Sequence, residues 1–241
     1  MTLSAPSKPE NYCENCAIRN RAICAGLERD EIDQLGQIGR RRRMVAGEQL
    51  MWEGDDTVLV ANVIEGILKL STNTSEGKEQ ILGLAFPADF MGRPFGKTAP
   101  FGVEALTDCH ICVFDRSDFD RFAREHPRLE HKLLERTLTE LDRTRKWMLF
   151  LGRMNAEQKI ASFLLESADR LAPSGCNIDF DRRPNSFKLP LTRQQIADIL
   201  GLMIETVSRQ LTKLKRDGLI DLPTRREVVI QDRVALEDIA A

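Results

Sequence analysis

The sequence predicts an α+β protein with a domain of short strands, then one long helix, then a helix-turn-helix domain. Glycines punctuate short apolar runs between residues 47 and 114, which is typical of a sandwich, jelly roll or barrel. No Gly or Pro interrupts the leucine-rich residues 128–151, and two short amphipathic segments follow between residues 192 and 220. At 241 residues, of which 42% are hydrophobic, the chain can form one large or two modest domains.

The first domain is predicted from its apolar runs. The predicted strands are residues 58–64, 67–70, 81–86 and 103–114. Four consecutive arginines, residues 40–43, precede these strands. We interpret them as a solvated charged stretch rather than a nucleic-acid site.

Residues 127–152 predict one long helix, whose apolar residues recur in steps of four and three. This spacing is typical of a coiled-coil seam, so we predict a homodimer. Packing of the same stripe against the strand domain is the alternative. The predicted dimer interface is Leu134, Leu138, Leu141, Arg145 and Met148. A further helix is predicted over residues 155–172, and a turn-rich connector over residues 173–185.

Residues 192–220 have the spacing of a helix-turn-helix motif. Thr192 and Gln195 match a capping box, Gly201 marks the turn, and Gly218 ends the second helix. Between residues 182 and 226 there are ten Lys or Arg against four Asp or Glu, although the whole chain has a net charge of -2. A short hairpin over residues 222–230 would make the domain winged.

One face of the second helix is suited to double-stranded DNA. Three polar residues at positions i, i+3 and i+4 share this face, opposite the apolar residues, and such a face can enter a major groove. Two packed helices in any small domain would show the same apolar pattern. The predicted DNA-binding residues are Arg193, Glu205, Ser208 and Arg209.

Three cysteines, Cys13, Cys16 and Cys24, lie close together before any regular element. A closed four-thiolate site needs one more ligand, for which Cys109, Cys112 and Cys176 are candidates. Period-two alternation in the run 103–114 places Cys109 on the more apolar face, which leaves Cys112 free to meet the N-terminal loop. Four thiolates suit structural zinc or an iron–sulfur cluster, and the spacing does not separate them.

Membrane and enzyme functions are not expected. The first residues lack an apolar signal core, and no run approaches the roughly 20 apolar residues that cross a bilayer. We therefore predict a cytoplasmic protein with no membrane partner. None of the three histidines is placed as a base beside a nucleophile, so we predict that the protein is not an enzyme.

Four stretches resemble the CRP/FNR family of bacterial transcription regulators, and the resemblance covers nearly the whole chain. Within the family, the sequence most resembles the FNR branch, in particular the FnrL-type oxygen-responsive regulators of alphaproteobacteria. The stretches are CENCAIRNRAIC (residues 13–24), ALTDCHIC (105–112), WMLFLGRMNAEQKIASFL (147–164) and ETVSR (205–209).

The resemblance implies a cysteine-rich segment (residues 1–30), a β-roll, jelly-roll-like sensor domain (31–126), a dimerisation helix (127–152) and a winged helix-turn-helix domain (153–241). It also implies that Cys13, Cys16, Cys24 and Cys112 bind a [4Fe-4S] cluster. In the FNR branch this cluster promotes dimerisation and binding to palindromic TTGAT-like promoter sites, and oxygen abolishes both. The resemblance further implies RNA polymerase as a partner, which would contact the region of residues 77–89.

Two departures from the family pattern matter. Met203 stands where the family usually has Thr or Ser, so a helix N-cap is missing. The stretch PADFMGRPFGKTAPFGVEAL lacks the Gly-Glu and Arg-Ser/Thr pairs of the cyclic-nucleotide relatives, so we predict no cyclic nucleotide site.

The alternatives to an oxygen-responsive regulator are a regulator with a structural zinc–cysteine site and another signal, or an iron–sulfur redox protein.

Overall fold

The computed structural model describes residues 13, 15–73, 75, 79–171 and 186–241. They form an N-terminal domain of strands, a long helix and a C-terminal helical domain, which confirms the predicted fold class. Residues 1–12 and the predicted connector 173–185, with Cys176, lie outside the described residues.

The N-terminal domain is a sandwich of two four-stranded antiparallel sheets. The first sheet has the order β1 (Gly39–Met44), β8 (Cys109–Asp115), β3 (Leu59–Glu65) and β6 (Phe90–Met91). The second has the order β2 (Gln49–Met51), β7 (Gly102–Ala105), β4 (Leu68–Asn73) and β5 (Glu79–Ala85). Met44, Val63 and Ile111 from the first sheet share one buried core with Leu68 and Val103 from the second. The sheets therefore pack face to face.

Three helices cover the outer face of the first sheet: α1 (Arg29–Ile38), α2 (Arg116–Glu125) and the start of α3 (Pro127–Arg153). Phe114, on the outer face of β8, packs with Leu35 of α1, Phe119 of α2 and Leu129 of α3. A 3-10 turn, Ile23–Gly26, joins the same cluster through the fully buried Ile23. The cysteine-rich segment is thereby held against the sheet and α3.

The C-terminal domain contains α4 (Ala156–Arg170), α5 (Arg193–Leu200), α6 (Ile204–Arg216) and α7 (Arg233–Ala240). A three-stranded sheet accompanies them, in the order β10 (Ile220–Thr224), β11 (Glu227–Ile230) and β9 (Ser186–Lys188). The β10–β11 hairpin confirms the predicted wing. The core of this domain is continuous with Ile67, Leu84 and Phe86 of the N-terminal domain.

Two predictions about the strands were wrong. Residues 103–114 form two strands, β7 and β8, which belong to different sheets and are separated at residues 106–108. The four arginines 40–43 are part of β1 rather than a stretch before a strand. Arg40, Arg41 and Arg43 are exposed. Because β1 is an edge of its sheet, these charges discourage pairing with another chain.

The two long helices are close to their predicted bounds, and Asn155 caps α4 by accepting hydrogen bonds from the amides of Glu157 and Gln158. Among the described residues, no helix is both long and apolar enough to cross a lipid bilayer.

Candidate functional site

Consecutive turns form the N-terminal cysteine loop. The amide of Cys16 donates to the carbonyl of Cys13 at 3.4 Å, and that of Arg19 to the carbonyl of Cys16 at 3.1 Å. The Cys24 thiol lies 3.8 Å from the carbonyl oxygen of Arg19. All three cysteines are half-buried. The three thiols are thus only partly shielded from solvent.

The two cysteines of β8 lie on opposite faces of the first sheet. Cys109 is buried in the core between the sheets, where its thiol lies 3.1 Å from the carbonyl oxygen of Thr107. Cys112 packs on the outer face, in the same apolar cluster that Cys13 and Cys24 contact. This confirms that Cys112 faces the N-terminal loop and that Cys109 is a core residue.

The four thiols interact electrostatically. Burial raises the pKa of Cys112 to about 12, and the charges of Cys13, Cys16 and Cys24 raise it as well. Burial, followed by the neighbouring thiolates, raises the pKa of Cys24 to about 11. The pKa of Cys13 is raised by burial and by Cys16. At neutral pH the Cys24 and Cys112 thiols are therefore protonated, and a metal ion or cluster that binds them would displace these protons.

The donor set fits an iron–sulfur cluster. The described residues contain no group of three or more Cys, His, Asp or Glu side chains converged to hold a metal ion, so the thiols are neighbours without meeting at one point. Four cysteine sulfurs from one loop and one strand are nevertheless the ligand set that such clusters use. The ligand role of these cysteines stays a prediction.

Arg41 is a residue near this site that the sequence analysis missed. It lies on β1 directly opposite Cys112 on β8, and its charge opposes the rise in the pKa of Cys112 and Cys13. The sequence pattern indicates only that Arg41 belongs to a run of four solvated arginines. Only the strand register distinguishes it from the other three.

The helix-turn-helix motif has the predicted local structure. Thr192 and Gln195 form a reciprocal capping box at the start of α5, and Gly201 ends that helix at φ 61°, in the left-handed region that favours glycine. On α6, Val207, Leu211 and Leu214 are buried. The opposite face is free for a ligand: Glu205, Ser208 and Arg209 are all exposed.

Met203 and Arg193 lie at the starts of the two helices of the motif. Met203, the N-cap of α6, makes no side-chain capping bond and is 72% exposed. A residue that does not cap costs about 1 kcal/mol relative to Ser or Thr at this position. Arg193, at the start of α5, is half-buried, and burial lowers the pKa of its guanidinium. Arg193 is thus less exposed than Glu205, Ser208 and Arg209, and its DNA-binding role stays a prediction.

The predicted dimer residues form an exposed apolar stripe on α3. Leu138 is 53% exposed and Met148 is 70% exposed, and Leu134 and Leu141 are also exposed. Arg145 pairs with Asp142 at 3.3 Å on the same helix. In contrast, Leu129 and Leu133 at the start of α3 are buried against the N-terminal domain. Leu134 and Leu141 line a cavity beside the strand domain, but no residue of the stripe is buried against that domain. The structure therefore does not support the alternative prediction.

Comparison with known proteins agrees with this architecture. Residues 158–239 match the family model described as Crp-like helix-turn-helix domain, and residues 41–126 match that of the cyclic nucleotide-binding domain. The transcriptional activator protein FnrL of Cereibacter sphaeroides is 43% identical over 96% of this chain and 93% of its own length. The chain belongs to the CRP/FNR family of transcription regulators.

Other CRP/FNR proteins are similar over most of their length. The nitrogen fixation regulation protein FixK of Bradyrhizobium diazoefficiens is 38% identical over 87% of this chain and 86% of its own. The solved structure of FixK2 from Bradyrhizobium japonicum superposes with a TM-score of 0.76 at 29% identity, and the match covers 85% of this chain and 98% of that one. These relatives are transcription regulators, so the protein is a DNA-binding regulator and not an enzyme.

A cavity of about 640 Å³ lies between the strand domain and α3 of this CRP/FNR protein. Its lining combines apolar residues, such as Phe90 and Leu134, with the cations Arg93 and Arg136. The prediction that the protein takes no cyclic nucleotide stays a prediction.

Proposed function

We propose that this protein is an oxygen-responsive activator that holds a [4Fe-4S] cluster through Cys13, Cys16, Cys24 and Cys112. The observation that carries the proposal is the meeting of the N-terminal cysteine loop with Cys112 on the outer face of the first sheet, while Cys109 points into the core. When bound, such a cluster supplies an oxygen-sensitive iron–sulfur chemistry that side chains alone do not have. The regulator would act in the cytoplasm, where bacterial DNA lies.

The cysteine loop is placed to influence dimerisation because it touches the dimer helix. Ile23 and Leu27 pack with Leu129 and Leu133 on the first turns of α3. A Cβ on Gly26 would lie 3.7 Å from the carbonyl oxygen of Arg128, so the backbone of the loop approaches the helix closely. A loop that is fixed at its thiols holds these contacts in place. A change of about 1.4 kcal/mol in this packing would shift a monomer–dimer equilibrium about tenfold.

Pairing along the exposed stripe of α3 places two reading helices on one DNA. Exposed apolar residues at heptad spacing are stabilised by burial against the same stripe of a second copy. A two-fold dimer sets the recognition helices about one DNA turn, roughly 34 Å, apart. The target is then a palindrome, with TTGAT-like half-sites.

Base reading on each half-site falls to the exposed face of α6. Arg209 suits the two acceptors of a guanine, and Glu205 accepts from a cytosine amino group. Ser208 can contact a base or the backbone. Activation requires contact with RNA polymerase, for which part of residues 77–89 is a candidate; residues 77 and 78 lie outside the described residues.

The test is a paired measurement on protein purified without air. Iron, acid-labile sulfide and visible absorption are measured first, and fluorescence anisotropy then follows binding to a duplex with two TTGAT half-sites and to a scrambled duplex. The same sample is measured again after exposure to air. We expect about four irons and four sulfides per chain and a brown colour that bleaches in air. Binding to the TTGAT duplex should be lost when the colour bleaches.

Three outcomes contradict the proposal in different ways. A colourless protein that holds zinc and binds DNA equally in air has a structural metal site and senses another signal. A brown protein that does not distinguish the two duplexes holds a cluster but does not read TTGAT-like half-sites. A brown protein that binds the specific duplex equally before and after bleaching is a regulator that does not use the cluster as its oxygen switch.

A further inference from the structure

The turn at residues 86–89, between β5 and β6, is held tightly against β3. The amide of Ala88 donates to the carbonyl of Val63 at 2.8 Å, and the amide of Val63 donates to the carbonyl of Asp89 at 3.0 Å. The Asp89 carboxylate also accepts from the amide of Phe86 at 2.8 Å. Ala88 has a φ of 77°, in the left-handed backbone region that residues other than glycine rarely adopt. Such a residue persists only where its surroundings fix it.

The cysteine loop supplies part of those surroundings. Ala88 is buried in a small cluster with Ile18 and Ala22, which lie between Cys16 and Cys24 in the sequence. The side chains of Cys16 and Cys24 pack against this cluster. The guanidinium of Arg21, in the same loop, donates to the carbonyl of Pro87 at 3.4 Å. One side of the turn is therefore in direct contact with the segment that carries three of the four thiols.

The other side of the turn contacts the dimer helix and the DNA-binding domain. The Asp89 carboxylate forms an ion pair with Arg170 of α4 and lies 3.5 Å from the guanidinium of Arg143 of α3. Only 17% of the Asp89 side chain and 14% of the Arg170 side chain are exposed. The Arg170 guanidinium also stacks 4.0 Å above the ring of Phe86, at the start of the turn. A shielded pair of this kind is sensitive to small displacements, because either charge loses a partner that water does not fully replace.

We propose that the 86–89 turn is a relay, in which Asp89 is the positioning residue that couples the cysteine loop to both α3 and α4. While the loop is fixed, its packing on Ala88 keeps the left-handed turn in place and aims Asp89 at Arg143 and Arg170. Once the thiols are released, the packing on Ala88 weakens, the turn relaxes toward an ordinary backbone conformation, and the carboxylate leaves both arginines. The inference rests on the proposed function, because it requires a loop that is alternately fixed and released.

The experiment measures the ratio of two dissociation constants, that of the air-exposed protein over that of the cluster-loaded protein, for the duplex with two TTGAT half-sites. Asp89→Asn keeps an acceptor for the Phe86 amide but removes the charge that pairs with Arg143 and Arg170. We expect the ratio to fall about tenfold relative to the wild type. Glu166→Gln is the matched control, because Glu166 also lies 3.5 Å from Arg170, and among the described residues it has no hydrogen bond or ion pair with residues 86–89. The ratio should change less than about twofold in that variant.

A second variant tests the backbone of the turn rather than the charge of Asp89. Ala88→Gly removes the backbone penalty of the left-handed conformation, so the turn no longer depends on the loop for support. We expect the air-exposed variant to bind DNA more tightly than the air-exposed wild type, and the ratio again to fall. Unchanged ratios in both Ala88→Gly and Asp89→Asn, with normal iron content, would overturn the relay alone. A wild-type ratio near one would overturn the proposed function and the relay with it.

A measurement on the wild type avoids any problem of folding in the variants. Hydrogen exchange is compared between cluster-loaded and air-exposed protein. If the relay operates, the amides of Ala88 and Asp89 and those at the C-terminal end of α4 exchange faster after air exposure. Faster exchange confined to residues 15–27, with the turn and α4 unchanged, would contradict it.

Discussion

Arg41 on β1 lies directly opposite Cys112 on β8. Directly opposed residues of an antiparallel pair point to the same face, with Cβ atoms about 4.5–5.5 Å apart. The cation is therefore beside the thiols, and its charge lowers the pKa of Cys112 and Cys13 against the larger effect of burial. Arg43 lies on the same face of the same strand but opposite His110, two residues further away.

Replacing Arg41 should make a bound cluster easier to oxidise. Arg41→Gln removes a positive charge beside an anionic group, so the oxidised state is stabilised relative to the reduced one. We expect bleaching in air-saturated buffer to be about two- to fivefold faster, the effect of a partly exposed charge of up to about 1 kcal/mol. Arg43→Gln is the control and should bleach at the wild-type rate. Equal rates in the two variants would remove Arg41 from the site.

The two cysteines of β8 give a second matched pair. Cys112→Ala should abolish iron retention after anaerobic reconstitution, because it removes the only described thiol that meets the loop from the sheet. Cys109→Ala should retain iron and lose about 1 kcal/mol of stability, the cost of a small cavity in the core. Iron per chain is measured together with the urea midpoint of unfolding. Normal iron content in Cys112→Ala would show that the ligand is elsewhere.

The face assignment of these cysteines was predictable because period-two alternation survives a break in the strand. Residues 103–114 form two strands in different sheets, yet Val103, Cys109 and Ile111 all point into the single core between those sheets. The corner at residues 106–108 was missed from the sequence, although the polar pair Thr107 and Asp108 is typical of a turn. The helix-turn-helix was predictable down to its capping box, since its signals are local.

Contacts between distant segments could not be predicted. Asp89 and Arg170 are 81 residues apart, and no period or motif links them. Nor does composition separate Arg41 from its three neighbours, because the register that places it opposite Cys112 is set by pairing with a strand some 70 residues later. Sequence patterns therefore identify the helices and strands of this protein. The contacts between distant residues depend on how those helices and strands pack.

The stripe on α3 should be the dimer contact. Leu138→Glu places a charge on the seam, and the apolar burial lost is about 1.5–3 kcal/mol for each copy. We expect the dimer of cluster-loaded protein to dissociate at least tenfold more readily in sedimentation experiments. Thr139→Glu adds the same charge at the next residue of the helix, off the seam, and should leave the dimer intact. If the Thr139 variant dissociates as well, the effect is one of charge and not of the seam.

The second sheet should contribute a pH-dependent part of the stability. Lys69, whose side chain is 10% exposed, bridges Glu79 at 2.6 Å and Glu104 at 3.1 Å. Burial alone would raise the pKa of Glu79, but hydrogen bonds from Lys69 and Ser71 outweigh it and lower that pKa. A lowered folded-state pKa contributes stability above the unfolded value, about 4.3, which is lost as pH falls through the folded value.

Glu79→Gln should therefore destabilise the protein at pH 7 and have little effect near pH 3. Because the Glu79 side chain is 43% exposed, the loss at pH 7 is only roughly 0.5–1 kcal/mol. Urea midpoints at the two pH values check this, with Glu125→Gln, an exposed carboxylate on α2, as the control. A loss that is the same at both pH values would mean that the carboxylate stabilises the sheet by shape and not by charge.

Arg209 should determine sequence preference rather than general affinity. It is exposed on the reading face of α6, and a bidentate contact to guanine is worth roughly 1–3 kcal/mol of discrimination. Arg209→Ala should therefore weaken binding to the TTGAT duplex and make one half-site position tolerant of every base. Arg225 is exposed in the turn between the strands of the wing, where we expect it to contact a phosphate rather than a base. Arg225→Ala should weaken all duplexes alike and reduce the salt dependence by about one counterion. If Arg209→Ala instead behaves like Arg225→Ala, then Arg209 contacts the DNA backbone, and base reading on α6 falls to Glu205 and Ser208.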